Sequence, residues 1–558
     1  MTTVTSDEQK PHLEESIAPA AAHPLQKWLL VLVVFVAGAA SLGVEMAASR
    51  LLAPYFGSSQ FVWAALIGLI LLYLTSGYYL GGRLADRFPR PIVFYLITTI
   101  AAFTIGLIPL ISRPILLWSL NAFATYSASV FIGSLAAVIL LFAIPVILLG
   151  CVSPFAIRLL LQQVGRSGRL AGQLYAISTA GSIVGTFLPV LWLIPNYGTR
   201  FTFLVTAITL LLVSILGLVV SSLGTGNGGW PPRDSKHAAR INKKSLLSLL
   251  LLIPLGLEFL ALRGPIKPAS GTDGGGVLIA ERESDYNYIQ VVRVGSEMQL
   301  ILNEGQAVHS VYDPTTILTG GPWDYFMIAP YFNKPPFTPA MVHRVAIIGL
   351  GAGTIPREIT AAYGPIPIDG VEIDPAIVEL GRRYFAMNEP NLHVIVQDGR
   401  YFLRTTTQKY DLIGIDAYQQ PYVPFQLATE EFFSEVRAHL TPTGVAVINA
   451  GRTRHDFRLV ETLAQTMHAV FPNVYIIDTA RFTNSIIVGT NATTSLSNFA
   501  RNTAMLTNPL LVSVAQASLA FGNLREEQGR HVFFTDDRSP IEQLIDQMIL
   551  DAIRSGDE

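Results

Sequence analysis

Residues 343–374 read HRVAIIGLGAGTIPREITAAYGPIPIDGVEID and decide the fold of the C-terminal half. Val345–Ile348 is a short apolar run typical of a buried strand. A glycine-rich turn follows it, then a stretch with helical character from Thr354 to Tyr363, and then a second apolar strand that ends near Glu372. Strand, glycine turn, helix and strand in this order predict a βαβ unit of a Rossmann-like α/β domain.

The glycine turn and the acidic residue predict a nucleoside site. Gly349, Gly351 and Gly353 have no side chains, so the backbone at this turn can approach a ligand closely. Glu372 follows Gly349 by 23 positions, at a spacing where a carboxylate accepts hydrogen bonds from the ribose hydroxyls. The alternative is a tight turn in an α/β fold that binds no ligand.

Further strands extend this unit. The segments HVIVQDG, YDLIGIDAY, GVAVINA and VYIIDT have the apolar character of strands, and helices are expected between them. The first two segments contain Asp398 and Asp416 near their ends. Ligands of open α/β sheets bind at the carboxyl ends of the strands, so we expect Gly349, Glu372, Asp398 and Asp416 around one cleft.

The N-terminal half has a different composition. Residues 28–223 contain 11 charged side chains in 196 positions, whereas residues 276–558 contain 51 in 283. Over the whole chain 14% of residues are charged, against about 25% in soluble globular proteins. This excludes an ordinary soluble enzyme and a disordered chain. The net charge of −2 provides no field that would attract nucleic acid, so no nucleic-acid partner is expected.

Six segments are long and apolar enough to cross a bilayer, which requires about 20 residues. A seventh, at 245–262, is shorter and contains Pro254 and Glu258. The lipid bilayer is therefore an expected partner. The six segments lie at about 28–49, 61–82, 91–112, 128–150, 170–194 and 201–223.

These observations divide the chain into four parts. We expect a disordered tail at 1–24, a transmembrane domain of six to seven spans at 25–265, a linker with a small antiparallel β-sheet domain at 266–340, and a Rossmann-like domain at 341–558. Cys151 is the one cysteine, and the histidines are scattered, so neither a disulfide nor a metal is expected.

Residues 277–490 resemble the spermidine synthase, or polyamine aminopropyltransferase, family. The matching pieces are IIGLGAGTIPRE, VEIDPAIVELGRRYF, VQDGRYFL, YDLIGIDAY and LTPTGVAVIN. The membrane motifs SRLLAPYFGSS and GYYLGGRLADR and the late TDDRSPIEQL are similar to those of membrane-fused spermidine synthase-like proteins. The resemblance implies a class I methyltransferase-like fold, a transferase of polyamine biosynthesis and a homodimer formed through the small sheet.

The resemblance also implies roles in binding a nucleoside co-substrate, decarboxylated S-adenosylmethionine. Glu372 would bind the ribose, and Asp398 and Gly399 would face the adenine. The glycine turn would pass beside the methionine-derived chain. The segment NEGQAVHS at 303–310 would lie beside the cleft, which adds Gln306 to the cofactor-binding residues.

Three departures from the family fall on the polyamine and aminopropyl side of the site. The family's glycine turn carries an aspartate for the aminopropyl amine, and this chain has Ala352. The family's catalytic loop Asp-Ser-Ser-Asp-Pro reads Asp416-Ala-Tyr-Gln-Gln-Pro here, so glutamine replaces the aspartate that the resemblance makes the base. The family's Tyr-His/Gln-Glu segment reads Tyr325-Phe-Met. An amine of pKa near 10 needs a base to attack, and Asp416 is the candidate, with Tyr418 or His309 assisting.

Three functions stay open at this point. The first is a membrane-integrated transferase that releases methylthioadenosine while it transfers to a polyamine-type acceptor. The second uses intact S-adenosylmethionine, whose carboxylate is tolerated better beside Ala352 than beside an aspartate, for methyl transfer or for lyase-type release of methylthioadenosine. The third is a non-catalytic nucleoside sensor, which the number of spans favours because one helix suffices as an anchor.

The side of the membrane also stays open. Lys and Arg cluster at 83–90, 158–169 and 233–244, on alternate loops, and this bias places the N-terminus inside. With seven full spans the C-terminal half would lie outside. With six spans and a re-entrant seventh segment it would lie inside, on the cytoplasmic face of the cell (inner) membrane, which the supply of cofactor favours.

Overall fold

The structure is a computed structural model of the chain. It describes residues 24–56, 60–125, 130–161, 167–223, 269, 276–303, 307–418, 423–529 and 531–555. Within these ranges the N-terminal part is helical, and the C-terminal part contains a small antiparallel sheet followed by a larger mixed sheet with helices. The predicted tail, the seventh segment at 245–262 and Gln306 lie outside the described residues.

The N-terminal part confirms helices at the six predicted apolar segments. Six of its described helices are long and apolar enough to cross a membrane. The described helices are α1 (Pro24–Phe56), α2 (Gln60–Arg87), α3 (Pro91–Thr125), α4 (Val130–Gly150), α5 (Val152–Leu160), α6 (Ser167–Leu188) and α7 (Ile194–Leu223).

Close packing between helices explains the small residues in these spans. A Cβ atom at Gly181 of α6 would lie 2.0 Å from the carbonyl oxygen of Phe35 in α1, so the two backbones are in contact. A π-helical turn at Pro189–Leu193 follows α6, and Gly198, with φ of 84°, interrupts α7 near its start. The last span therefore begins at Thr199.

The small sheet has four antiparallel strands in sequence order, as predicted. Its strands are β1 (Val277–Glu283), β2 (Tyr288–Val294), β3 (Glu297–Leu302) and β4 (Val308–Tyr312). A 3-10 helix at Pro322–Phe332 connects it to the larger sheet, and all eleven residues of that helix are buried.

The larger sheet has eight strands in the order β12-β10-β11-β9-β8-β5-β6-β7. Strands β5 to β9 run parallel, and β11 pairs antiparallel with both β9 and β10, so the sheet is mixed. Its strands are β5 (Val345–Ile348), β6 (Ile368–Glu372), β7 (Leu392–Val396), β8 (Tyr410–Ile415), β9 (Leu440–Gly451), β10 (Asn473–Asp478), β11 (Asn484–Thr490) and β12 (Leu524–Glu526).

Helices cover both faces of this sheet, and a cluster of buried apolar side chains lies on each face. The helices are α8 (Thr354–Tyr363), α9 (Pro375–Tyr384), α10 (Gly399–Thr405), α11 (Glu430–Ala438), α12 (Arg458–Val470), α13 (Leu496–Thr503), α14 (Pro509–Leu519) and α15 (Ile541–Ser555). β6 pairs with one edge of β5, and β8, which comes later in the chain, pairs with the other edge. In sheets of this kind the ligand cleft forms at such a switch point, outside the carboxyl ends of the strands.

The helical part and the small sheet contact each other through Glu283, the last residue of β1. Its carboxylate accepts hydrogen bonds from the backbone N–H of Thr199, at 2.9 Å, and from the Thr199 hydroxyl, at 2.6 Å. Burial raises the pKa of Glu283, while these hydrogen bonds and the positive charges of Arg50 and Arg200 oppose the rise. A carboxylate in this position stabilises the N-terminal end of the last span.

Candidate active site

A cavity of about 240 Å³ lies at the carboxyl ends of β5, β6 and β8. It brings together most of the residues that the sequence analysis selected. Those that line it are Gly349, Gly351, Glu372, Asp398, Gly399, Asp416 and Tyr418.

The glycine turn forms the floor of this cavity. Gly349, Gly351 and Gly353 have φ values of 83°, 57° and 92°, in the left-handed region that favours glycine. A Cβ atom at Gly349 would lie 2.4 Å from the carbonyl oxygen of Asp416, so a side chain there would push β5 and β8 apart. Gly353 caps α8 against Met387 and is not among the residues that line the cavity.

Ala352, the next residue in the turn, has a different environment from the one the resemblance implied. Its side chain is 1% exposed and lies in a cluster of buried apolar residues between the small sheet and α9. Its backbone N–H donates to the hydroxyl of Ser310 in β4, at 2.9 Å. This position therefore fixes the glycine turn to the small sheet.

Glu372 ends β6 and points at the glycine turn. Its carboxylate accepts from the backbone N–H of Gly351, at 2.9 Å, and from that of Asp374, at 3.1 Å. The residue is 7% exposed, and burial raises the pKa of its carboxyl group to about 7 although these hydrogen bonds oppose the rise. A carboxylate so placed can accept from two hydroxyl groups of a ligand once they replace its present partners.

Asp398 and Gly399 follow β7 and begin α10. The Asp398 carboxylate caps this helix by accepting from the backbone N–H of Tyr401, at 2.8 Å. A Cβ atom at Gly399 would lie 2.3 Å from Cγ2 of Ile348 in β5, so glycine is required for this close approach. Both residues line the cavity on the side of β7, where a flat ring can pack against the backbone.

Asp416 follows β8, and two N–H donors hold its carboxylate. Trp323 Nε1 donates to one oxygen and Asn449 Nδ2 to the other, each at 2.9 Å. Burial raises the pKa of Asp416 to about 7, and the two hydrogen bonds oppose the rise. At neutral pH this group is therefore close to half ionised, as a proton acceptor in catalysis should be.

The hydroxyl of Tyr418 is bound to the end of β9. It donates to the carbonyl oxygen of Asn449, at 3.0 Å, and accepts from the backbone N–H of Gly451, at 2.8 Å. Burial, and to a lesser extent the charge of Asp416, raises the pKa of Tyr418. The ring of Tyr418 also packs edge-on against that of His309, with 6.5 Å between the ring centres.

A second cavity of about 330 Å³ adjoins the first, and Asp416, Tyr418 and His309 line both. Asp416 therefore lies where the two cavities meet. A group bound in the first cavity and a group bound in the second can both reach its carboxylate.

Sequence reasoning missed several residues of the site. Asn449 lies near the end of the strand GVAVINA. The expectation that ligands bind at the carboxyl ends of strands, which selected Asp416, could therefore have selected Asn449 too. Trp323 gave no such signal, because it reaches Asp416 from 93 positions earlier in the chain. Asp374 binds the turn between β1 and β2, since it accepts from Ser284 Oγ at 2.5 Å and from Asn287 Nδ2 at 3.0 Å.

Within the described part of the chain, no group of three or more His, Cys, Asp or Glu side chains has the arrangement of a metal site. The donors that do converge are carboxylates, amide N–H groups and glycine backbone, which suit an organic ligand with hydroxyl groups and a positive charge.

Comparison with known proteins finds similarity within the C-terminal half of the chain. Residues 332–498 match the spermine/spermidine synthase domain. A probable polyamine aminopropyl transferase of Bifidobacterium longum is 32% identical over 295 residues, which cover 49% of this chain and 64% of the relative. A polyamine aminopropyltransferase of Vibrio vulnificus is 34% identical over 148 residues, which cover 26% of this chain and 46% of the relative. The chain thus spans only about half to two thirds of the length of these curated relatives.

Among solved structures, a probable spermidine synthase from Corynebacterium glutamicum is 20% identical in sequence to this chain. The superposition has a TM-score of 0.35 and covers 49% of this chain and 100% of the other.

Proposed function

With a spermine/spermidine synthase domain at residues 332–498 as the premise, we propose that this protein is a membrane-integrated aminopropyltransferase-like enzyme. It binds decarboxylated S-adenosylmethionine, transfers the aminopropyl group to an amine and releases methylthioadenosine. The observation that carries the proposal is the pair of carboxylates, Glu372 and Asp416, that line one cavity, each with a pKa raised to about 7.

The charge of these two groups fits a sulfonium ligand. The hydrogen bonds to both carboxylates come from neutral donors: backbone N–H groups for Glu372, and Trp323 and Asn449 for Asp416. Buried carboxylates without a cation are unfavourable, which is why their pKa values are raised. A ligand that brings a sulfonium charge and two ribose hydroxyls relieves both carboxylates at once.

We assign the roles as follows. Glu372 binds the ribose hydroxyls, and Asp398 and Gly399 contact the adenine. Gly349 and Gly351 shape the path of the methionine-derived chain, beside which we also assign Gln306, and Gly353 ends the turn at the start of α8. Asp416 and Tyr418 form the catalytic pair, in which Asp416 takes the proton and Tyr418 keeps the loop after β8 on β9.

The reaction balances without a metal or a redox partner. The neutral nitrogen of the acceptor attacks the methylene carbon next to the sulfonium, an N–C bond forms and the C–S bond breaks. The electron pair of that bond stays on sulfur, which leaves as the neutral thioether of methylthioadenosine. The proton lost by nitrogen goes to Asp416 and then to water. Positioning of the two groups supplies much of the rate, because a sulfonium is a good leaving group.

Product analysis tests this proposal. The full-length protein, purified in detergent, receives decarboxylated S-adenosylmethionine with and without an amine, and methylthioadenosine is measured by chromatography. Amine-dependent release that Asp416→Asn abolishes is the expected result. Decarboxylated S-adenosylmethionine that binds but gives no product with any amine would contradict the transferase.

A second candidate is an enzyme that uses intact S-adenosylmethionine for methyl transfer or lyase-type cleavage. The observation that favours it is Ala352, where the resemblance implies an aspartate for the aminopropyl amine. The same assay with intact S-adenosylmethionine separates the two. S-adenosylhomocysteine, or methylthioadenosine released without an amine, selects the second candidate.

For location, we propose an integral inner-membrane protein whose C-terminal half faces the cytoplasm, where the co-substrate is made. The contact between Glu283 and Thr199 sets the small sheet against one end of the last span, Thr199–Ser221. Leu223 lies at the opposite end of that helix. Because successive spans alternate in direction, the loop near Arg90 lies at the face opposite to the Thr199 end. In this arrangement it faces away from the cytoplasm, against the usual charge bias.

Cysteine labelling in intact cells tests this arrangement. Cys151→Ser removes the one native thiol, and single cysteines are then placed at the exposed positions Arg90 and Thr407. The proposal predicts that an impermeant maleimide labels R90C and not T407C. Labelling of T407C would put the C-terminal half outside, as the charge bias with seven spans requires. Cross-linking through the small sheet tests the proposed homodimer in the same cells.

A further inference from the structure

The second cavity differs in chemistry from the first. It begins at Asp416 and extends between β9, the loop before β11 and α15. Among its described lining residues Asp416 is the one carboxylate, and Arg452 supplies a positive charge. An acceptor would enter this cavity, because the nucleoside fills the other side of Asp416.

A chain of neutral amides connects these two charged groups. Asn449 donates to Asp416 at 2.9 Å, and Asn484 Nδ2 donates to Asn449 Oδ1 at 2.9 Å. Arg452 Nε in turn donates to the carbonyl oxygen of Asn484 at 3.2 Å. Amide groups can accept one hydrogen bond from an ammonium, but they do not neutralise its charge.

The charge around Arg452 is positive on balance. Its guanidinium also donates to the carbonyl oxygens of Thr453 and Thr479, at 3.1 and 3.3 Å, so it is fixed in place. Asp478 lies 4.0 Å from Arg452 and 2.5 Å from Arg525, and one carboxylate therefore serves two guanidinium groups. A second cation bound at this end would be repelled.

Apart from the rings of Trp323, Tyr418 and Phe482, one side of the cavity is aliphatic. Ile545, Met548 and Ile549 of α15 face it together with Leu459 of α12. Ile545 and Met548 are 5% and 4% exposed, so they belong to the buried core and offer a dry surface. Burial of an ammonium group against such a surface is unfavourable unless a carboxylate pairs with it.

We propose that the acceptor is a primary monoamine with an apolar body, rather than a diamine or polyamine. The amino group lies at Asp416, and the apolar body packs against α15 and Leu459. This inference rests on the proposed transferase function, and it specifies the substrate class of the same site.

Two amines of equal size test the inference. Putrescine and n-pentylamine each have six heavy atoms and differ only in whether the far end is an ammonium or a methyl group. We expect kcat/KM for n-pentylamine to exceed that for putrescine at least tenfold, with decarboxylated S-adenosylmethionine saturating and methylthioadenosine as the readout. Equal or faster use of putrescine would overturn the inference and leave the transferase standing. No product with n-pentylamine would also overturn the inference, whereas only the absence of product with any amine would refute the transferase itself.

A designed carboxylate sharpens the test. Ile549→Asp places a negative charge on the aliphatic wall at a partly exposed position. We therefore expect the ratio of kcat/KM for n-pentylamine to kcat/KM for putrescine to shift at least tenfold towards putrescine. Ile549→Asn controls for polarity, and Gln547→Asp places the same charge on the exposed face of α15. Neither control should shift the ratio. An unchanged ratio in Ile549→Asp, with an unchanged melting temperature, would show that the acceptor does not lie on this wall.

Discussion

The two sides of Asp416 show what this chain has kept and what it has changed. On the proposed nucleoside side, Glu372 and the glycine turn line a cavity whose buried carboxylates suit the hydroxyls of a ribose and the positive charge of a sulfonium. On the acceptor side, amides, Arg452 and an aliphatic helix line a cavity of similar size. In the proposed function, recognition of the nucleoside and recognition of the acceptor therefore depend on different strands and helices around one shared carboxylate.

The largest expected effect is on chemistry at the shared carboxylate. Asp416→Asn keeps the hydrogen bond from Trp323 and loses the proton acceptor, so kcat should fall by about 10² to 10⁴-fold. Steady-state kinetics with calorimetry of nucleoside binding measures both effects. Binding should change little, and Asp537→Asn, at an exposed position, should leave both unchanged. A variant as active as the wild type would remove Asp416 from the mechanism.

The ionised carboxylate of Glu372, on the nucleoside side, should lower the free energy of unfolding when no ligand is bound. The pKa of Glu372 is about 7 in the folded protein, above the ordinary value of 4.5. The contribution of the protonated carboxyl group to the free energy of unfolding is therefore fully present below pH 4.5 and is lost as the pH rises through 7. Glu372→Gln does not titrate, and at pH 8 it should raise the free energy of unfolding by up to about 3 kcal/mol. Thermal unfolding at pH 5 and pH 8 checks this. A variant less stable than wild type at pH 8 would contradict it.

The pH dependence of kcat/KM should follow the ionisation of the shared carboxylate, Asp416. The pKa of Asp416 is about 7 in the free protein, and the base must be ionised, so kcat/KM should rise about tenfold per pH unit below 7 and level off above it. Glu372 titrates in the same range and steepens the rise. The profile of kcat, measured at saturating nucleoside, should shift to lower pH, because the bound sulfonium favours the carboxylate. A profile that is flat from pH 5 to pH 8 would exclude a carboxylate base.

The smallest effect is expected where the small sheet contacts the membrane helices. Glu283→Ala removes the acceptor of both hydrogen bonds from Thr199, and it should lower stability by about 1 kcal/mol. Glu379→Ala is the matched control, because its partner Arg282 is exposed and such pairs contribute little. Thermal unfolding in detergent measures both. Equal melting temperatures would show that the contact at Glu283 is dispensable.

Much of this architecture could be predicted from the sequence, because it depends on short-range signals. Hydropathy is enough to find the six spans, and the glycine turn with Glu372 identifies the βαβ unit and one side of the cleft. The partners of Asp416 could not be found in this way. Trp323 comes from a 3-10 helix and Asn449 from β9, and only the folded sheet brings them within 2.9 Å of the carboxylate.

The same limit applies to the acceptor side. The sequence showed which family residues were missing, but it gave no indication of what replaced them. Arg452 and the residues of α15 lie far from Asp416 in the chain, and none of them belongs to a motif. Their chemistry becomes visible only as the wall of a cavity, and this is why the substrate class is inferred from the structure.

The central claim is that the first cavity binds an adenosyl sulfonium through Glu372, and calorimetry of the full-length protein tests it most directly. Decarboxylated S-adenosylmethionine is titrated into wild type and into Glu372→Ala, with Glu461→Ala, an exposed residue of α12, as the control. We predict binding to wild type and to the control, and an affinity about 100-fold or more lower in Glu372→Ala, because hydrogen bonds to a charged group are lost. No heat with wild type, or equal affinity in Glu372→Ala, would contradict the account.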